Sequence, residues 1–175
     1  MPVTSKYWAI LNRPSQSFIC CDAVKMPFPT NYFDIVYSLD VIEHIGTTDG
    51  HQNLAANYQS IREHFAEELL RVTKENGGII ISCPNKSFPI DIQHGPISSG
   101  AGKFTKLRQL VWDRFRLNIH RTRGDYHLLS YGEIKTLFGD LGMARSIRPL
   151  PLKNFFAFSS VQSGFLKKMG KIISW

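Results

Sequence analysis

Residues 18–44 read FICCDAVKMPFPTNYFDIVYSLDVIEH, and this stretch decides the fold. An apolar run from Phe18 to Cys21 ends in the carboxylate Asp22, and a loop with two prolines follows. A second apolar run, Phe33 to Leu39, leads to three polar residues, Asp40, Glu43 and His44. Strands that deliver acidic or polar residues at their carboxyl ends are typical of the ligand crevice of an open α/β sheet. The stretch therefore predicts two strands, over 18–21 and 34–39, beside a ligand site.

The next segment predicts a helix and another strand. Between Asn57 and Lys74, apolar residues recur at helical spacing, at Ile61, Phe65, Leu69 and Val72. Asn76-Gly77-Gly78 predicts the end of this helix. The run IIIS at 79–82 predicts a strand buried on both faces. Strand, helix and strand in this order form a βαβ unit, so the sheet is predicted to be parallel here.

Further elements are predicted on both sides of this unit. Ser130 with Glu133 three residues later forms a capping box, which predicts a helix from Ser130 to Leu141. The pattern also favours helices over 5–13 and 107–117, and short strands over 144–150 and 155–161.

Two motifs of the deciding stretch match a known family. Asp22, Ala23, Pro27 and Phe28 fit the pattern D-A-x-x-x-P-F, and FDIVYSLDVIEHI follows at 33–45. The stretch resembles the middle of a class I S-adenosylmethionine (SAM)-dependent methyltransferase of type 11. The resemblance covers about residues 18–161. We therefore expect residues 1–175 to form one partial SAM-dependent methyltransferase domain, with a substrate-lid insertion at about 86–128.

The same resemblance implies an α/β fold with an incomplete Rossmann-like sheet and flanking helices. The family orders its strands 3-2-1-4-5-7-6, and we expect strands 3 to 7 to be present and strands 1 and 2 to be missing. The glycine-rich loop that binds SAM follows the first strand in the family, and it does not fit in the residues before Phe18. We therefore expect a chain truncated at its N-terminus, with weak or no methyl transfer by itself.

The resemblance also assigns the candidate cofactor site. In the family, the carboxylate matched by Asp22 accepts a hydrogen bond from the adenine amino group, and the next backbone N–H, that of Ala23, donates to a ring nitrogen. The alternative is that Asp22 only caps the following turn. Ser38 and Leu39 would lie beside the methionine part of SAM.

Asp40 and His44 are the candidate catalytic residues, since the family turns this segment towards the substrate. His44 could take a proton from a hydroxyl acceptor, or it could orient a loop. Asp40, Glu43 and His44 have the i, i+3, i+4 spacing of one helix face. Two carboxylates and an imidazole would suit Mg²⁺ or Zn²⁺. The dipole of a helix start favours such carboxylates without a metal, so we assign no metal ligand. His94, with Asp91 as partner, is a weaker candidate base.

Charge is unevenly distributed along the chain. Residues 1–102 carry 7 Lys and Arg against 10 Asp and Glu, whereas residues 103–175 carry 14 against 4. This basic C-terminal part favours a partner with phosphates: nucleic acid, an anionic membrane surface in peripheral contact, or a phosphorylated substrate. The alternative is a solvated surface without a partner. We expect a small-molecule, lipid or glycan as methyl acceptor. Three cysteines without metal-ligand spacing and no secretory signal predict a cytoplasmic protein.

Overall fold

The structure, a computed structural model, describes residues 19–91, 95–96, 105–141 and 147–150. The chain divides into two compact units, Met1–Met143 and Ala144–Trp175. The described elements of the first unit are, in chain order, β1 (Phe33–Leu39), α1 (Tyr58–Val72), β2 (Thr73–Ser82), β3 (Ile90–Asp91), α2 (Thr105–Phe115), β4 (Asn118–Ile119) and α3 (Tyr131–Asp140). In the second unit, residues 147–150 form neither helix nor strand.

β1, α1 and β2 form the predicted βαβ unit. The two strands are parallel, with Val36 opposite Ile79 and Leu39 opposite Ser82. Parallel neighbours need a crossover connection, and α1 provides it. Within the described residues the sheet has these two strands, so the observed architecture is a mixed α/β fold with a small parallel sheet. The α/β class is confirmed at this level, while the assignment to strands 3 to 7 of a larger sheet stays a prediction.

The end of α1 differs from its prediction. The helix ends at Val72, and Thr73 is already extended, with its hydroxyl donating to the carbonyl of Leu69 at 2.6 Å. Asn76-Gly77 lies inside β2, where the pairing with β1 shifts between Phe33 and Ile35. A Cβ on Gly77 would lie 2.7 Å from the carbonyl oxygen of Asp34. The glycine therefore serves a close approach of two backbones in the sheet and does not stop the helix.

The core lies between α1 and the segments that pack on it. Phe65, Leu69 and Val72 are buried, as their helical spacing predicted. Residues from the loop after β1, from the segment before α3 and from α3 complete the core: Ile42, Leu128, Leu129 and Phe138. Hydrophobic burial of this kind contributes about 1.5–3 kcal/mol per large side chain.

The sheet is buried on one face only. Ser38 of β1 is buried, whereas Ile35, Tyr37 and Leu39 are more than half exposed. Successive side chains of a strand point to opposite faces, so these three share the exposed face. The residues of the IIIS run in β2 are only half-buried. The prediction that this strand is buried on both faces is therefore wrong, because no described element covers the second face.

The insertion after β2 contains a small antiparallel pair and a helix. Ile90 pairs with Ile119 and Asp91 with Asn118, which joins β3 to β4 around α2. The helix predicted over 107–117 is confirmed as α2, shifted by two residues. The capping box of α3 is confirmed as well, since Ser130 Oγ accepts from the Glu133 N–H at 3.2 Å and Glu133 accepts from the Ser130 N–H at 2.7 Å.

Three predicted strands are not confirmed. Ile19 to Cys21 form no strand, and Asp22 makes only an isolated bridge with Lys25. No described strand lies beside 19–21, and a strand without a partner leaves its backbone groups unpaired. Residues 147–150 are likewise not a strand. Some of the predicted segments lie outside the described residues, either whole or in part. These are the helix over 5–13, Phe18 of the first strand, residues 144–146 of the next and the strand over 155–161.

Candidate functional site

The carboxyl ends of β1 and β2 meet at one edge of the sheet. Leu39 pairs with Ser82, and the Asp40 N–H donates to the Ser82 carbonyl at 2.8 Å. Asp40 then adopts a left-handed conformation with φ 52°, which aspartate tolerates better than most residues. The chain leaves the sheet at this point, and the Asp40 side chain is exposed at the edge.

Ser38 and Leu39 lie beside this edge but point to opposite faces. The Ser38 side chain is 3% exposed, and its hydroxyl has no hydrogen-bond partner among the described residues. A buried polar group without a partner costs about 1–3 kcal/mol, so this hydroxyl suits a polar group of a ligand. Leu39 is exposed on the other face. The structure therefore does not bring the two predicted methionine-side residues to one surface.

Residues 41–47 form successive turns, and the predicted helix face is wrong. The His44 N–H donates to the Val41 carbonyl at 2.9 Å, and Ile45 repeats this three-residue step at 3.3 Å. Gly46 follows with φ 78°, which ends any helical path. As a result Asp40 is exposed, Glu43 is fully buried and His44 is half-buried. Within the described ranges, no group of three His, Cys, Asp or Glu side chains could hold a metal ion.

His44 contributes its backbone to this turn, and its ring lies against that of His51. Its carbonyl accepts from the Thr47 hydroxyl at 2.7 Å, and its imidazole lies perpendicular to that of His51 with centroids 6.0 Å apart. The carbonyl contact agrees with a loop-orienting role of the residue. The role of its imidazole as a base stays a prediction.

Cys83, directly after β2, is a thiol of this edge that the sequence did not single out. Burial, together with the negative charges of Glu43 and Asp40, raises the pKa of the Cys83 thiol to about 12. A thiol needs to ionise to act as a nucleophile. Cys83 therefore stays protonated at neutral pH and contributes packing, not covalent chemistry.

Asp22 caps a turn with one oxygen of its carboxylate. Asp22 Oδ1 accepts from the Val24 N–H at 3.1 Å, and the Lys25 N–H donates to the Asp22 carbonyl at 3.1 Å. This is the geometry of the alternative considered above, a turn-capping aspartate. The second carboxylate oxygen and the Ala23 N–H make no hydrogen bond with the described residues. Both groups can therefore serve an adenine ring in addition to the turn.

Arg62 of α1 holds the turns after β1 in place. Its side chain is buried, and it donates to the carbonyls of Ile45 at 3.1 Å and His127 at 2.6 Å. Burial lowers the pKa of the Arg62 guanidinium, and the negative charges of Glu133 and Glu43 act in the opposite direction. No signal in the sequence points to the carbonyl partners of Arg62.

A second pair on α1 holds the loop that precedes β1. Glu68 and Arg71 form an ion pair at 2.6 Å. Glu68 accepts from the Met26 N–H at 2.7 Å, and Arg71 donates to the carbonyls of Phe28 at 2.7 Å and Met26 at 3.0 Å. The Arg71 partner holds the pKa of Glu68 below its ordinary value. The i, i+3 spacing of Glu68 and Arg71 can be seen in the sequence. Their hydrogen bonds to the loop before β1 cannot.

The structure adds little about the second candidate base, His94, and its partner Asp91. His94 lies outside the described residues, and Asp91 lies in β3. Two cavities of about 480 and 120 Å³ both lie against α2, and none of the predicted cofactor residues lines them. Among the described residues, no helix combines the length and apolar character that crossing a bilayer requires.

Comparison with known proteins gives a match over the N-terminal part of the chain. Residues 4–81 match the family model of a methyltransferase domain, type 11. The match includes Asp22, all of β1 and α1, and β2 up to its penultimate residue. It covers less than half of the 175 residues. No curated protein and no solved structure matches the chain significantly.

Proposed function

We propose that the chain, whose residues 4–81 match the family model of a type 11 methyltransferase domain, transfers the methyl group of SAM to a small-molecule, lipid or glycan acceptor. The observation that carries the proposal is the overlap of the family match with the parallel βαβ unit. That unit ends in an edge with an exposed carboxylate, Asp40, and a buried hydroxyl without a partner, Ser38. Ligands of open α/β sheets bind at such carboxyl edges.

The groups near this edge fit parts of the proposed cofactor. Asp22 has one carboxylate oxygen left for an amino group of adenine, and the Ala23 N–H is a donor for a ring nitrogen. The Ser38 hydroxyl suits the polar end of the methionine part. When bound, SAM supplies a methyl group on a positively charged sulfur. The chain contributes orientation of the donor and the acceptor, which alone accounts for a large share of catalysis in transfer reactions.

Asp40 and His44 would act on the acceptor. The left-handed turn presents the Asp40 carboxylate to solvent at the sheet edge, and the half-buried His44 follows in the same turn. An imidazole has an ordinary pKa near neutrality, so His44 can take a proton from a hydroxyl acceptor. Asp40 can orient the acceptor through a hydrogen bond.

Calorimetric titration with SAM tests the cofactor part of the proposal. We expect weak but saturable binding, because residues 4–81, which match the family model, contain no G-x-G segment to hold the charged end of SAM. Asp22→Asn removes a charge-assisted hydrogen bond of about 1.5–3 kcal/mol and should weaken binding by about tenfold to hundredfold. Asp140→Asn, a change at an exposed carboxylate of α3, is the matched control. Absence of saturable heat, or equal affinity of the two variants, would overturn this assignment.

Methyl transfer itself is tested with SAM labelled in its methyl group. The chain is incubated with lipid, glycan and small-molecule extracts, and the labelled fraction identifies the acceptor class. His44→Gln and Asp40→Asn should lower labelling and leave the affinity for SAM unchanged, because both residues are assigned to the acceptor. Labelling that is unaffected by both variants would contradict their roles.

A non-catalytic remnant or a basic binding module is the second candidate. It is favoured by a specific observation, an exposed basic surface on α2 that lies apart from the predicted SAM residues. Labelling of an acceptor that falls in the Asp40→Asn and His44→Gln variants would exclude the non-catalytic reading of the site.

A further inference from the structure

Helix α2 and the segment from its end to β4 expose several large apolar side chains. Four of them are between 54% and 62% exposed: Leu107, Leu110, Phe115 and Ile119. Exposed basic side chains lie among them, at Lys106, Arg114 and Arg116. We call these seven residues the basic-apolar patch. Scattered single apolar residues on a surface need no explanation, but a cluster on one short helix does.

Contacts of Arg108 and Trp112 hold the helix, and the patch side chains stay exposed. Arg108 donates to the Asn118 amide oxygen at 3.1 Å, and Asn118 donates to the Gly95 carbonyl at 3.2 Å. Trp112 is half-buried, and a Cβ on Gly95 would lie 3.2 Å from its ring. These contacts fix α2 without using the apolar side chains of the patch. The exposure of the patch is therefore a property of the packed helix.

The charge around the patch is strongly positive. Residues 105–123 contain six Lys and Arg and one Asp. A short helix with apolar side chains flanked by Lys and Arg is the pattern of segments that lie in the interface of an anionic bilayer. The apolar side chains enter the acyl boundary, and the basic side chains extend to the headgroups.

We propose that the basic-apolar patch docks the protein on an anionic lipid bilayer. Nucleic acid fits the patch less well, because single strands need aromatic platforms and Phe115 is the one aromatic residue of the patch. A second copy of the chain also fits less well, because pairing the patch with itself would bring like charges together. The proposal does not depend on methyl transfer, since it concerns a different surface.

Vesicle co-sedimentation of the full chain tests the proposal, without SAM in the assay. The probes are vesicles of phosphatidylcholine alone and of phosphatidylcholine mixed with phosphatidylserine. We expect binding to the mixed vesicles and little to the neutral ones. Lys106→Gln with Arg114→Gln should lower the partition coefficient about 30-fold, since each charge near the surface contributes about 1 kcal/mol. The matched control, Lys25→Gln with Lys135→Gln, removes two exposed charges elsewhere and should bind nearly as the unchanged chain does.

A second pair of variants tests insertion of the apolar side chains. Leu110→Gln with Phe115→Gln should lower partition about tenfold, because part of the burial energy of two large side chains is lost. Ile35→Gln with Tyr37→Gln removes apolar side chains of similar exposure from β1 and should leave partition unchanged. All four positions are exposed, so the variants are expected to fold, which circular dichroism checks.

Several outcomes would overturn the proposal. Equal binding to neutral and mixed vesicles would remove its electrostatic basis. If the patch variants bind vesicles as well as their controls do, the lipid contact lies on another surface of the protein. Absence of vesicle binding together with salt-sensitive RNA binding would make the surface a nucleic-acid contact. Absence of vesicle binding together with a dimer that the Leu110 and Phe115 changes dissociate would make it a subunit interface.

Discussion

Replacing Arg62 by methionine tests whether α1 holds the site. Arg62→Met keeps an apolar stem of similar length and removes the donors that reach the carbonyls of Ile45 and His127. Each hydrogen bond from a charged donor contributes about 1.5–3 kcal/mol. Removing a buried charge also relieves its desolvation, which offsets part of this loss. We expect the free energy of unfolding to fall by about 3 kcal/mol.

Urea unfolding measures this change. With a denaturant dependence of about 2 kcal/mol per molar, the midpoint should fall by about 1.5 M. Arg123→Met is the control, because Arg123 is exposed, and a surface change of this kind alters stability by about 0.5 kcal/mol or less. Arg62→Lys should fall between the two, since an ammonium cannot match the planar fork of the guanidinium. Equal midpoints for Arg62→Met and Arg123→Met would refute the reasoning.

Three further predictions concern backbone and charge. Gly46→Ala should destabilise by about 2 kcal/mol or more in urea unfolding, since Gly46 has φ 78° and a Cβ would lie 2.9 Å from backbone atoms of α1. Gly50→Ala, at φ 71° with open space around it, should cost about 1 kcal/mol in the same assay, and equal losses for the two variants would contradict the role of the close contact. Arg71 lowers the pKa of Glu68 from its ordinary 4.5, so this pair stabilises the fold above that pH and the effect is lost as pH falls through the lowered pKa. The stability difference between the unchanged chain and Glu68→Gln should therefore shrink below about pH 4.5, and a pH-independent difference in urea midpoints would contradict this. Ser130→Ala should cost about 1 kcal/mol by removing a helix cap, and Ser130→Thr should restore most of it.

The local elements could be predicted from the sequence because their signals are local. The apolar spacing of α1 places Phe65 and Leu69 in the core wherever the helix packs. The capping box at Ser130 needs only a residue three positions away. Asn76-Gly77 shows the limit of such signals. The same dipeptide can end a helix or allow an irregularity within a strand. Here the pairing with β1 determines that it lies within β2.

The supports of the candidate site could not be predicted, because they join residues far apart in the chain. Arg62 and His127 are separated by 65 positions, and Glu68 and Met26 by 42. Neither pair has a spacing that identifies it in one sequence. The prediction that Asp40, Glu43 and His44 share one helix face was wrong for another reason. Its i, i+3, i+4 pattern fits a helix and a series of tight turns equally well, and the backbone selected the turns.

The position of α1 has a consequence for how the protein opens. One helix supports the loop before β1 through Glu68 and Arg71, and the turns after β1 through Arg62. Segments that share their contacts tend to unfold locally as one cooperative unit. The amides of 31–32 and of 44–47 should therefore exchange with a common opening free energy. Ligand binding before or after β1 would then require the same helix to be packed in place. A substitution that destabilises α1 should therefore weaken ligand binding at both parts of the site.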